Sequence, residues 1–186
     1  MSKVDRKLVG SVTEVDSFAV EVNDASALAA LRGRPHVIGP YMNVYNERTL
    51  AVLARGGAHS VCLPAEVPAT AMRALCEEAA KLGVAVEVQA FGRMPLALSA
   101  RCYHARAHGR TKDSCQFVCN EDADGMELRT LEDKPFLAVN GIQTLSYEYL
   151  NLSGELTELA ASGVSRPAEW PPAALAERLI ERIEHS

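Results

Sequence analysis

Ser60-Val-Cys-Leu-Pro-Ala-Glu-Val-Pro-Ala-Thr-Ala-Met-Arg-Ala-Leu-Cys-Glu-Glu-Ala-Ala-Lys-Leu-Gly-Val-Ala-Val-Glu-Val88 reads in order as a strand, a helix and a second strand. The run at residues 60–63 gives way to Met72, Leu75, Cys76 and Ala79, which recur at the three- and four-residue spacing of one helical face. Lys81 suits the negative end of that helix, and Gly83 supplies the left-handed residue that ends it. A β-branched run at residues 84–88 follows. Two strands joined through a helix run parallel, because the crossover returns the chain to the end from which it started. The unit recurs upstream. Residues 18–22 and 36–38 read as strands; Leu28 and Leu31 mark a short helix ending near Gly33 and Pro35, and Leu50 and Leu53 mark one ending at Gly56 and Gly57. The expectation is an α/β chain whose repeated units build a parallel sheet with right-handed crossovers.

The chain has 186 residues, 48% hydrophobic and 23% charged, which suits one globular domain and excludes disordered and fibrous classes. The net charge of −5 offers no global attraction to nucleic acid or anionic lipid, so neither is expected as a partner. No apolar run approaches the length of a membrane span. The start, Met-Ser-Lys-Val-Asp-Arg-Lys7, lacks the apolar segment of a secretory signal, so the expected compartment is the cytoplasm. In that reducing setting, clustered cysteines signal metal or redox chemistry more than disulfides.

The βα rhythm stops at Phe91. An excursion over residues 91–135 separates it from the next strong strand, at 136–139, and long excursions inside compact domains are usually functional. This one carries Cys102, Cys115 and Cys119 in a hydrophilic stretch with Arg101, Arg106, Arg110 and Lys112, cations that favour the metal-ligating thiolate. Cys62, within a strand, and Cys76, on an apolar helix face, read instead as core. The clustered thiols suit an iron–sulfur centre, or, with His104 or His108 as a nitrogen donor, a tetrahedral Zn2+ site. Residues 120–125 read as a turn, and 126–130 as a strand able to form a hairpin with 136–139. Two amphipathic helices, 147–161 and 172–183, close the chain as a C-terminal helical segment spanning 147–186.

Four phrases are more specific than composition produces: Gly39-Pro-Tyr-Met-Asn-Val-Tyr-Asn46, Phe91-Gly-Arg-Met-Pro-Leu-Ala-Leu-Ser-Ala-Arg-Cys-Tyr-His104, Lys112-Asp-Ser-Cys-Gln-Phe-Val-Cys119 and Asn140-Gly-Ile-Gln-Thr-Leu-Ser146. On these the chain resembles the UbiV branch of the collagenase-like peptidase superfamily, from about residue 18 to the last helix. The resemblance implies a cytoplasmic (β/α) barrel with a [4Fe–4S] cluster on four cysteines, three of which fall on Cys102, Cys115 and Cys119. It implies a heterodimer with the related protein UbiU in oxygen-independent ubiquinone biosynthesis. There the aromatic ring of a small or prenylated substrate is hydroxylated without O2, with prephenate as oxygen donor.

The early part of that barrel, with the remaining cluster cysteine, has no counterpart here. A full barrel takes about 250 residues, so the fold expected is an incomplete (β/α) TIM-type barrel of about five parallel strands in one domain. The strand at 18–22 is then an unprotected edge, open to a UbiU-like protein or a second copy, which would also offer a fourth cluster ligand. Residues 7–15 of the same chain could cover that edge instead. Two other functions stay open: a truncated, non-catalytic binding or assembly paralogue, and a structural zinc protein. No nucleophile–histidine set or metalloprotease motif is recognisable, so proteolysis is not expected.

Barrel enzymes build their sites at the C-terminal ends of strands, where Glu21, Asn43, Glu66, Glu87 and Gln89 fall. These residues, with Tyr41 and Tyr45 flanking Asn43, form either a substrate pocket or a satisfied polar layer. Arg93, Arg101 and Arg106 would either clamp a substrate carboxylate or offset the charge of thiolates and sulfide.

Overall fold

The computed structural model describes residues 18–111 and 114–165, together with Lys7, Gly10 and Ser11. It divides into two compact units: Gln89–Leu156, and the chain before and after it.

The first unit is a four-stranded parallel sheet with its strands side by side in chain order: β1 (Glu21–Val22), β2 (His36–Ile38), β3 (Ala58–Cys62) and β4 (Ala85–Glu87). Register is set by Val22 beside Ile38, Ile38 beside Val61, and Val61 beside Val86. All four side chains are buried, as expected of short parallel strands covered by helices. Helices α1 (Ala25–Ala30), α2 (Glu47–Arg55) and α3 (Ala69–Leu82) make the crossovers. Asp24 caps α1 by accepting from the backbone N–H groups of Ser26 and Ala27, at 2.8 and 3.1 Å. Asn46 caps α2 by accepting from Thr49 N at 2.9 Å. Gly83 ends α3 at φ 68°, the left-handed conformation that a side chain resists. Met72, Leu75, Cys76 and Ala79 are all buried, so the helical face read from the sequence is the one that packs. Gly57 is required where α2 turns into β3, because a Cβ there would stand 2.4 Å from the Arg34 carbonyl oxygen. The short helix α5 (Leu156–Ala161) ends against this unit, with Leu159 and Val164 on its core and Ser165 N donating to Val86 O at 2.8 Å.

The second unit is an antiparallel sheet in the order β5-β8-β7-β6, from β5 (Phe91–Leu98), β6 (Met126–Arg129), β7 (Pro135–Asn140) and β8 (Gln143–Asn151). The hairpin of residues 126–130 with 136–139 forms as expected, with Met126 opposite Val139. Gly141, at φ 60°, lets the chain reverse in two residues between Asn140 and Gln143. Between β5 and β6 lie the helix α4 (Tyr103–Ala107) and the 3-10 turn Val118–Glu121.

Three expectations are corrected here. The strand at 136–139 is not a fifth parallel strand, because β7 pairs antiparallel with both β6 and β8. The helix expected over 147–161 is a strand as far as Asn151, and only Leu156–Ala161 is α-helical. The start of the excursion is β5, bent by register shifts on either side of Pro95. Among the described residues no helix is long and apolar enough to cross a membrane. The helix expected over 172–183, Lys112 and most of residues 7–15 lie outside the described residues.

Candidate metal centre

Cys102 stands at the N-cap of α4, where its Sγ accepts from Ala105 N at 3.3 Å and donates to Gly141 O at 3.2 Å. Cys102, Ala105 and Val118 form a small buried cluster against which Cys115 packs. Cys115 Sγ accepts from Phe117 N at 3.4 Å, and the Arg110 guanidinium donates to Cys115 O at 3.0 Å. Cys119 is half-buried in the 3-10 turn beside Val118. Cys102 and Cys115, thirteen positions apart in sequence, therefore share one cluster, formed by a helix start and a turn. Of the three free thiols of this segment, those of Cys102 and Cys115 each receive a backbone N–H group.

The two histidines of α4 take a different partner. His104 is wholly buried, and its Nδ1 lies 3.1 Å from Val139 O. His108 Nδ1 lies 3.0 Å from His104 O. Because a carbonyl only accepts, both Nδ1 atoms carry hydrogen. Both Nε2 atoms turn to Asp122, which follows the 3-10 turn: His104 Nε2 is 2.8 Å and His108 Nε2 3.8 Å from its Oδ2. The rings stack with centroids 5.2 Å apart, as two residues one helical turn apart allow. His104 and His108 were singled out from the sequence as partners for the thiols, but Asp122 was not. The signal that could have found it is the His-x-x-x-His spacing followed by a turn carrying a carboxylate.

The residues read as a pocket fall in both units. In the first, Glu87 closes β4 as expected of a C-terminal strand end, whereas Glu21 opens β1 instead of closing it, and Cys62 closes β3 beside Glu87. Burial, then Glu87 and Glu21, push the Cys62 thiol up to about 11, so this half-buried cysteine faces carboxylates instead of sitting wholly in the core. Ser60 Oγ donates to Glu87 Oε1, and Asn23 Nδ2 donates to Glu21 Oε1 at 2.6 Å. Tyr45 OH donates to Glu66 Oε1 at 2.5 Å, and that bond raises the phenol above its ordinary range. Asn43, at φ 56°, closes the 3-10 turn Pro40–Met42. Tyr41 N donates to Asn23 Oδ1 at 3.2 Å.

In the second unit, Gln89 Nε2 donates to Arg93 O at 3.0 Å. Arg93 is committed to β8: its Nη1 donates to the carbonyls of Ser146 and Tyr147, and its guanidinium lies 4.6 Å from the centroid of the Tyr149 ring. Arg101 and Arg106 are exposed.

No solved structure matches the chain. The family model described as Peptidase family U32 matches residues 5–166. That match covers the parallel strands, the cysteine segment and the antiparallel sheet, and the chain belongs to peptidase family U32.

Proposed function

We propose that the chain is the iron–sulfur subunit of an oxygen-independent hydroxylase in ubiquinone biosynthesis, working with a UbiU-like protein on an aromatic or prenylated ring. The observation that carries the reading is the cysteine segment, where Cys102 and Cys115 share one cluster and both sulfurs accept backbone N–H groups. Cys102, Cys115 and Cys119 would hold a [4Fe–4S] cluster, which when bound supplies redox chemistry that side chains lack. The chain's own part is to fix the Cys102 and Cys115 sulfurs, pack them with Ala105 and Val118, and hold positive charge at Arg110 near Cys115. The consecutive, unreversed order β1-β2-β3-β4 supports a partial (β/α) barrel, since a barrel repeats that neighbour relation around its circumference.

The test is anaerobic purification of the full chain, alone and with a UbiU-like partner, followed by iron and sulfide assay and a visible spectrum. Equal iron and acid-labile sulfide, lost in Cys102→Ser, are expected. Their absence from both preparations would reject the reading. A second reading, a non-catalytic assembly module, draws on the four parallel strands among the described residues, against about eight in a complete barrel. It predicts that the partner hydroxylates equally well with Cys102→Ser as with the unaltered chain.

A further inference from the structure

His104 Nε2 and Asp122 Oδ2 are both buried, and neither has a hydrogen-bond partner, although they stand 2.8 Å apart. An unpaired buried nitrogen and carboxylate oxygen each carry a desolvation cost, so a close pair of them calls for something that both can bind. Misaligned for a hydrogen bond, the pair is suitably placed for a shared cation. Donors bound about 2.1 Å from one ion at a right angle stand about 3 Å apart, with the ion on the ring's lone pair and the second donor off that axis.

His108 Nε2 completes the set, the three donor atoms lying within 4.8 Å of one another. Both imidazoles are already prepared as ligands. Each Nδ1 donates to a backbone carbonyl, His104 to Val139 and His108 to His104, which leaves Nε2 with its lone pair facing Asp122. Tethering of the distal ring nitrogen in this way orients most metal-bound histidines.

The geometry points to a mononuclear site for a divalent first-row transition cation on His104 Nε2, His108 Nε2 and Asp122 Oδ2, built without any of the three cysteines. Two imidazoles and one carboxylate suit Zn2+ or Fe2+ and leave coordination positions for water or a small oxygen ligand. His104 forms the dry wall of this site. His108 and Asp122, with side chains 31% and 34% exposed, form the wall that ligand exchange requires. A bound ion would tie α4 to the turn before β6, a link that His104 and Asp122 otherwise make through their own unaligned contact.

Co2+ is the probe, because its visible bands report donor type. It is titrated under anaerobic conditions into the full chain carrying Cys115→Ser and Cys119→Ser, which leaves Cys102 as the one thiol of that segment, and a thiolate band would report its participation. Uptake of one ion per chain, with the bands of nitrogen and oxygen donors and without thiolate-to-cobalt charge transfer, is expected. His108→Asn and Asp122→Asn in the same background should each weaken binding by at least about 100-fold, since even outer-shell partners approach that loss. Both positions are partly exposed, so the variants should fold where a change at buried His104 could fail; circular dichroism checks that they do. In the unaltered chain, Asp122→Asn should leave the iron-to-sulfide ratio intact, which separates this site from the cluster. The inference is overturned if the double-serine chain takes up no Co2+, as for a simple His104–Asp122 ion pair. It is equally overturned if His108→Asn and Asp122→Asn bind as the parent does.

Discussion

The parallel unit buries a continuous set of aliphatic side chains, from Val22 and Ile38 through Leu50 and Leu63 to Leu75 and Val86. The antiparallel unit instead leaves Phe136 60% and Leu98 50% exposed, and its buried side chains include Cys102 and His104. Hydrophobic burial is worth about 25 cal/mol per Å2, so the first unit gains its stability from area removed from water. The second is held by its antiparallel ladder and buries a small cluster of Cys102, Ala105 and Val118. Apolar burial is thus concentrated in the first unit, whereas buried polar atoms without a hydrogen-bond partner occur in both, His36 Nε2 in the first and His104 Nε2 and Asp122 Oδ2 in the second.

The largest effect that bears on this contrast comes from truncation. Leu50→Ala, at a side chain with no exposure, should cost about 2–5 kcal/mol in urea denaturation. Leu98→Ala, on half-exposed β5, should stay within about 0.5 kcal/mol. Equal losses would break the comparison.

A smaller effect tests whether the first unit also depends on local helix chemistry. Removing the α2 cap with Asn46→Ala should cost about 1 kcal/mol. At the α1 cap, the Ser26 hydroxyl and then the Ala27 N–H hold the Asp24 carboxyl below its ordinary range. Because the folded value is the lower one, the stabilisation is present above the unfolded value and is lost as pH falls through the folded one. Asp24→Asn should therefore lower the neutral plateau of the stability profile and flatten its acid limb, because the charge-dependent part of the stabilisation is then missing at every pH.

The smallest effect is a rate. With its thiol pushed up to about 11, Cys62 should react with iodoacetamide at pH 8 far more slowly than Cys115, judged by peptide mass spectrometry in the metal-free chain. Glu87→Gln should quicken it by removing the larger of the two carboxylate effects. An unchanged Cys62 rate in that variant would show that Glu87 does not help to set the value.

What could be read from the sequence follows the same division. The four parallel strands and the buried face of α3 repeat on a single period, and each period is visible in one short window. In the antiparallel unit the signal is not local. Pro95 and the polar flanks of β5 hide a strand whose pairing with β8 lies some fifty residues away. Tyr147, Glu148 and Tyr149 lack the two-residue alternation of a half-buried strand, since Glu148 and Tyr149 are both exposed, so the end of β8 carries no local strand signal. Cys102 and Cys115 stood out by type, but Asp122 sat inside a stretch that any turn would explain. Only the fold turns its carboxylate toward His104.

Pro95 has a consequence of another kind. β5 ends its sheet, and an end strand normally displays a row of unpaired amides to which a foreign chain can add. A residue without an N–H, set between two register shifts, interrupts that row and bends the strand. The second unit can then carry exposed Leu96 and Leu98 at its margin with less tendency to stack into fibrils, because the backbone beneath them offers no long straight template.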